Sequence, residues 1–201
     1  MGECNVATSY YGSSLGTAGD VNGDGYDDVI VGAPQYTDGQ TFEGAAFVYL
    51  GGAGGLATLP VWVAQCDQAV AHLGAAVAGT GDVNGDGYAD VVVGAPLYDD
   101  GQSNEGKAWL YLGGPLGPAT SPAWTAQGDQ AGAQLGASVA TAGDVNADGY
   151  ADLVLGIPDW DLALTDEGGA TVYLGGPAGP GINPDWWKNG GQGSARRSDC
   201  E

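Results

Sequence analysis

The sequence predicts an all-β protein made of three tandem four-stranded antiparallel repeats, and three observations carry that expectation. The first is a period: Asp20-Val21-Asn22-Gly23-Asp24-Gly25-Tyr26-Asp27-Asp28 returns as Asp82 to Asp90 and as Asp144 to Asp152, 62 residues on each time. The second is composition, because 39 glycines and 10 prolines in 201 residues disfavour helices. The third is their placement: they cluster in short turns between runs of Val, Ala, Leu and Tyr, which read as strands of a few residues. With 43% hydrophobic and 14% charged residues, the chain can bury a core rather than remain disordered.

The period covers more than the acidic stretch. Gly12, Gly74 and Gly136 match, as do Gly32-Ala33-Pro34, Gly94-Ala95-Pro96 and Gly156-Ile157-Pro158. Tyr49-Leu50-Gly51-Gly52, Tyr111 to Gly114 and Tyr173 to Gly176 keep step, and so do Trp62, Trp124 and Trp186, with no insertion between repeats. Such self-similarity is the signature of a repeat architecture. In the second repeat the strands are expected at Leu73 to Ala78 (A), Asp90 to Val93 (B), Gly106 to Leu112 (C) and Ala123 to Gln127 (D). Strand A is rich in small residues (Gly74, Ala75, Ala76, Ala78), as required where strands converge on a crowded axis, and strand D carries a bulky Trp for the wide periphery. A small inner and a large outer strand fit a β-propeller blade. The expected division is a lead-in over 1–8, blades over 9–66, 71–128 and 133–190, and a tail over 191–201.

The acidic stretch itself has the chemistry of a cation cage. Asp20, Asn22, Asp24 and Asp28 place oxygen donors at positions one, three, five and nine, and Gly25 at position six lets the chain turn back. Tyr26 at position seven offers its backbone carbonyl rather than its ring. The same set recurs as Asp82, Asn84, Asp86, Tyr88 and Asp90, and as Asp144, Asn146, Asp148, Tyr150 and Asp152. All-oxygen cages suit a hard cation, and Ca²⁺ is the expected cofactor, one ion per repeat and structural in role. An EF-hand would need an acid at position twelve, where Val31, Val93 and Leu155 stand. Nonapeptide calcium repeats would recur every nine residues instead of every 62.

Together the glycine at 74, the loop Asp82 to Asp90 and Gly94-Ala95-Pro96 resemble the FG-GAP repeat of integrin α-subunit propellers, and the likeness extends over all three repeats. Tyr11, Leu73 and Leu135 stand where that family usually has Phe, and Ile157 replaces the Ala of the third turn. The resemblance implies a calcium-stabilised propeller module for protein binding or cell adhesion, extracellular or at the cell surface. A carbohydrate-binding lectin and a purely structural or engineered repeat array are the alternatives.

Other features narrow the field. A formal charge of −21 with four basic residues repels nucleic acid and anionic lipid, and no 18-residue apolar run or N-terminal signal peptide occurs. Catalytic motifs are absent: the single His72 has Tyr10 and Gln134 as repeat equivalents, and no nucleophile elbow or phosphate loop is found. An enzyme is not expected. Cys4, Cys66 and Cys200 give no disulfide framework; packed or free thiols are expected, with a bridge to Cys200 open.

In an up-and-down blade the A–B loops share an end with the C–D turns, and the B–C and D–A loops share the other. On that second end Tyr36, Tyr98 and Trp160 fall in register, with Glu43, Glu105 and Glu167, as a possible protein- or glycan-binding face. The alternative for these residues is aromatics capping the core beside solvated glutamates. The first residues follow a missing strand D, and Arg196-Arg197-Ser198 stands where a fourth blade would begin. Three blades are too few to close a ring, so a homodimer closing a six-bladed ring, or membership of a larger propeller, is expected.

Overall fold

The computed structural model describes residues 8–162, 165 and 167–190. Cys4, Cys200 and the arginine pair at 196 and 197 lie outside the described residues. Twelve strands form three four-stranded sheets. The first contains β1 (Ser14–Gly19), β2 (Asp28–Ala33), β3 (Ala45–Tyr49) and β4 (Trp62–Gln65). The second contains β5 (Ala76–Gly81), β6 (Asp90–Ala95), β7 (Lys107–Tyr111) and β8 (Trp124–Gln127). The third contains β9 (Ser138–Gly143), β10 (Asp152–Ile157), β11 (Gly169–Tyr173) and β12 (Trp186–Asn189). Each sheet is an antiparallel meander with its strands in chain order, as the sequence predicts.

Strand A departs furthest from expectation, the other boundaries of the second sheet shifting by one or two residues. The inner strand of the second sheet starts at Ala76 instead of Leu73 and runs on to Gly81. His72 and Gly74 have left-handed φ of 58° and 82°, and the Ala75 amide donates to the His72 carbonyl at 3.0 Å, so 72–75 is a turn. At its far end the strand carries a register shift between Gly79 and Gly81, repeated between Thr17 and Gly19. A bulge bends a strand and ends its pairing, and here it delivers the chain into the acidic loop.

The sheets pack face to face, with β5 lying between β1 and β9. The alternation of strands sorts side chains to two faces. Ile30, Val48, Trp62 and Ala64 of the first sheet meet Val91, Val93, Trp109 and Tyr111 of the second. The opposite face of the second sheet sends Val92, Leu110, Trp124 and Ala126 against Leu153, Leu155, Ile157 and Tyr173 of the third. A sheet covered on both faces needs an unbroken apolar strand, which explains Val91-Val92-Val93. Edge-to-face ring pairs cross both junctions: Trp62 with Tyr111 at 4.8 Å and Trp124 with Tyr173 at 4.7 Å.

Hydrogen bonds fix which connections share an end. The Gly51 amide at a C–D turn donates to Asp28 of the A–B loop at 2.7 Å, and the Gly114 amide reaches the Val21 carbonyl at 2.9 Å. At the other end the D–A segment meets B–C loops: the Val70 amide donates to Thr41 O, and Gln68 exchanges two bonds with the Asp99 backbone.

Candidate metal centre

The three acidic loops sit at the ends of β1, β5 and β9 and fold by one hydrogen-bond scheme. In the first, the Gly23 and Asp24 amides donate to Asp20 Oδ1 at 2.7 and 3.0 Å, and the Gly25 amide donates to Oδ2 at 2.8 Å. Asn22 Oδ1 accepts from the Asp24 amide, Asn22 Nδ2 donates to Asp24 Oδ2, and the Tyr26 amide donates to Asp24 Oδ1. Asx side chains that accept from amides ahead of them are a standard means of tightening a turn. The second loop repeats all of this with Asp82, Asn84 and Asp86, and the third keeps the bonds of the Asp148, Gly149 and Tyr150 amides and of the Asn146 side chain. The backbone thus orients the three acceptor side chains of each loop around one turn.

The ninth residue does different work. Asp28, Asp90 and Asp152 are wholly buried. Asp28 Oδ2 accepts from the Val21 amide at 2.9 Å and Oδ1 from the Gly51 amide at 2.7 Å, bracing the loop against the C–D turn. Asp90 holds Val83 and Gly113 likewise, and Asp152 holds Val145 and Gly175. Spacing alone marks these residues as cage members; their bracing bonds run to amides that no spacing rule identifies.

Electrostatics separate the two roles. Burial works against the charge of Asp20, but the amides of Gly25, Asp24, Gly23 and Asn22 outweigh it and hold the carboxyl below its ordinary value. Burial pushes Asp90 up to about 6, against the Gly113 and Val83 amides, and the charges of Asp86 and Asp82 add to the rise. Asp28 is raised for the same reasons. Among the described residues, Lys107 pairs with Asp100 and no lysine or arginine neutralises a loop carboxylate.

The donor chemistry fits a hard cation. A carboxylate has about four acceptor positions, and the loop amides use only part of that capacity. Among the described residues, no group of three or more Asp, Glu, His or Cys side chains converges on one point as a ready cage. A cation at these loops would need the Asn amide oxygen and a backbone carbonyl beside the carboxylates.

The loops also touch one another. The Ala89 amide donates to the Asp20 carbonyl and the Ala151 amide to the Asp82 carbonyl, both at 2.9 Å. Tyr88 lays its ring on Gly23, where an added Cβ would come within 2.8 Å of Cε1, and Tyr150 covers Gly85 at 2.6 Å. The third loop has Ala147 at this place, with φ of 60°. The tyrosine rings thus have a packing role that loop spacing does not reveal, although the Gly, Gly, Ala series hints at it.

The proposed ligand-face residues are placed otherwise than expected. Glu43 and Glu105 are each 1% exposed, so they are neither solvated nor available to a partner. Glu43 Oε1 accepts from the Asp38 amide at 2.7 Å, and Glu105 Oε1 from the Asp100 and Gln102 amides at 2.5 and 3.1 Å. Each buried glutamate carboxylate is thus paired with amides of exposed B–C loop residues, which satisfies the carboxylate and pins the loop. Glu167 is half-buried and accepts from Asn189 at 2.7 Å. Tyr36 stacks edge-on against Phe47 and Tyr98 against Trp109, with Lys107 over both of the latter rings; Trp160 leans on Trp187. His72 is half-buried in its turn, and burial lowers its pKa.

Three matches to the FG-GAP repeat cover residues 11–49, 73–111 and 135–174, each spanning an acidic loop and the strands around it. The chain belongs to the FG-GAP repeat family. Among its relatives, integrin alpha-PS2 of Drosophila melanogaster is 36% identical over 160 residues, which is 73% of this chain and 11% of that protein. Integrin alpha-7 of Rattus norvegicus is 36% identical over 151 residues (74% and 13%), and integrin alpha-5 of Xenopus laevis 30% over 174 (82% and 16%). The chain therefore spans well under a fifth of each relative's length. The FG-GAP matches stop short of β4 and β8, so the tryptophans that close the junctions lie outside the repeat pattern. Where the pattern usually begins with Phe, Leu73 and Leu135 are buried, whereas half-exposed Tyr11 donates its hydroxyl to Tyr49 at 2.7 Å.

Proposed function

We propose that this chain is a calcium-stabilised segment of an FG-GAP β-propeller, acting by binding a protein partner outside the cytoplasm and carrying no catalytic step. The observation that supports it best is the threefold repetition of one loop scheme, in which Asp, Asn and Asp are aimed by their own backbone and left without a cationic side chain. Asp20, Asn22 and Asp24, the Tyr26 carbonyl and Asp28 would hold the first ion, with Asp82 to Asp90 and Asp144 to Asp152 supplying the other two sets. When bound, the cation supplies positive charge that offsets the mutual repulsion of these carboxylates. The chain's own contribution is to preset the turn and, through Asp28, Asp90 and Asp152, to tie it to the sheet. Protein binding and an extracellular setting rest on the likeness to integrin α chains. No described helix is long and apolar enough to cross a membrane.

Thermal unfolding followed by circular dichroism, with EDTA and then with millimolar Ca²⁺ or Mg²⁺, tests the metal. The melting temperature should rise by several degrees with Ca²⁺ and less with Mg²⁺, because a ligand bound only to the native state stabilises it by mass action. Replacing both Asp82 and Asp86 by Asn should remove about a third of the rise. Identical melting curves under all conditions would dispose of the calcium reading.

The blade reading gains support from the unfinished face of the third sheet. Val21 and Val83 are fully buried but their equivalent Val145 is 59% exposed. That face fits a further FG-GAP unit, supplied by a second copy in a six-bladed ring or by more repeats in a longer chain.

A further inference from the structure

A size exchange between strands leaves room at one junction that the other junction fills. Phe47 and Trp109 occupy the same place in β3 and β7, and their ladder partners in β4 and β8 are Val63 and Thr125. In the third sheet the pair is reversed: Thr171 stands in β11 and Trp187 opposite it in β12. The large ring has moved one strand outward, roughly 4.8 Å.

Trp109 is buried between the first and second sheets and meets Tyr98 edge-on, with centroids 5.1 Å apart. The corresponding space between the second and third sheets is a cavity of about 440 Å³, bounded by Ala126, Leu135, Ile157, Thr171, Tyr173 and Trp187. Trp160, in the place of Tyr98, also borders it, and its ring lies 6.4 Å from that of Trp187. Two groups at its wall have polar capacity to spare. The Trp160 indole N–H is buried with no acceptor among the described residues. The Thr171 hydroxyl contacts the Leu155 carbonyl at a long 3.5 Å and Tyr173 beside it, and a hydroxyl that donates one bond still has lone pairs to accept.

We propose that this cavity is a binding site for a flat aromatic ring of the indole class, which takes the position that Trp109 occupies one junction earlier. The occupant is defined by the protein's own example. A ring seated there gains edge-to-face contact with Tyr173 and Trp187 and dispersion contacts with Leu135 and Ile157 that an underfilled cavity forfeits. Its N–H can donate to Thr171 Oγ1. The volume lies within the roughly 300–1,000 Å³ of small-molecule sites. This inference is independent of the calcium loops, so either can fail alone.

The test uses the whole chain in saturating Ca²⁺, titrated by calorimetry and ligand-observed NMR with free indole and, in a second arm, with N-acetyl-tryptophanamide. Saturable binding of indole at submillimolar to millimolar concentration is expected, with amide shifts confined to the 125–135, 155–173 and 182–187 segments. Binding of both probes assigns the ring to a tryptophan side chain of a polypeptide, and binding of indole alone assigns it to a free small molecule. Thr171→Trp should rebuild the filled junction and weaken indole binding at least tenfold. Because overpacking could unfold that variant, Thr171→Leu provides a smaller plug and should weaken binding at least fivefold, while Thr171→Ala keeps the space, loses only the acceptor for the ring N–H, and should weaken binding by about twofold to threefold. No saturable binding to the wild-type chain, or equal binding by a folded Thr171→Trp or Thr171→Leu variant, overturns the proposal.

Discussion

Trp62, Trp124 and Trp186 hold one repeat position and meet three surroundings, at 5%, 9% and 51% exposure. Trp62 Nε1 donates to the Ala119 carbonyl at 2.9 Å and Trp124 Nε1 to the Gly181 carbonyl at 2.7 Å, each reaching a C–D turn 57 residues on. Trp124→Phe should therefore cost about 1 kcal/mol, the net worth of a typical internal hydrogen bond, in urea denaturation. Trp186→Phe, with its ring half in solvent, should stay within about 0.5 kcal/mol of wild type; equal losses would show that the clasp adds nothing. Cys66 is buried and donates to the Glu43 carbonyl at 3.2 Å, and burial pushes its thiol up to about 11, as it pushes Tyr111 up to about 12. Both groups favour their neutral forms in the fold. The stability they confer is complete below their unfolded values near 9.0 and 10.0 and is lost as pH rises towards 11 and 12. Chemical denaturation at stepped pH should show a decline beginning above pH 9, and Cys66 should resist alkylation at pH 8 until the chain unfolds. Repeat positions such as these are legible in the sequence because nothing interrupts the period. The burial of Glu43 and Glu105 is not, because a glutamate between Gly-rich segments looks solvated until the loop amides it serves are located.

At the scale of the element, the acidic loops were legible as three equivalent turns between strands, and the strands down to their order. The start of strand A is hidden because a turn with left-handed His72 and Gly74 precedes it, and an Ala- and Gly-rich segment gives no alternation to mark its beginning. The contact of Tyr88 with Gly23 was equally hidden, since it joins residues of different repeats. That contact gives a paired prediction. Gly85→Ala should destabilise by at least about 1–2 kcal/mol, the cost of a left-handed alanine, with a further penalty because its Cβ would press on the Tyr150 ring. Ala147→Gly should instead stabilise slightly, by about 0.5 kcal/mol, once the relieved strain is set against the freedom of glycine in the unfolded chain. Thermal and urea unfolding of the two variants would measure both, and a loss in the alanine-to-glycine variant would refute the strain argument.

For the whole molecule, the same comparison of equivalent residues separates finished junctions from unfinished faces. Val145 and Trp186 mark the third sheet as carrying a face that its two predecessors bury. Sequence counting gives three repeats, and the proposal that a second copy covers the exposed face is tested by mass. Sedimentation in Ca²⁺ should give a mass above that of one 20.0 kDa chain, falling to the single-chain value with EDTA or with Val145→Asp; a single-chain mass under every condition would leave the face to further repeats of a longer polypeptide. The finished junctions also have a mechanical side. Neighbouring sheets meet along β1, β5 and β9, while the indole clasps lie out on β4 and β8, at the opposite edges. Two sheets forced apart would swing like covers about a spine, and a bond at the free edge acts on the longest lever arm. The tryptophans outside the FG-GAP pattern are thus the fastenings that meet a prying load first, and their release would let the sheets fan open while each one stays intact.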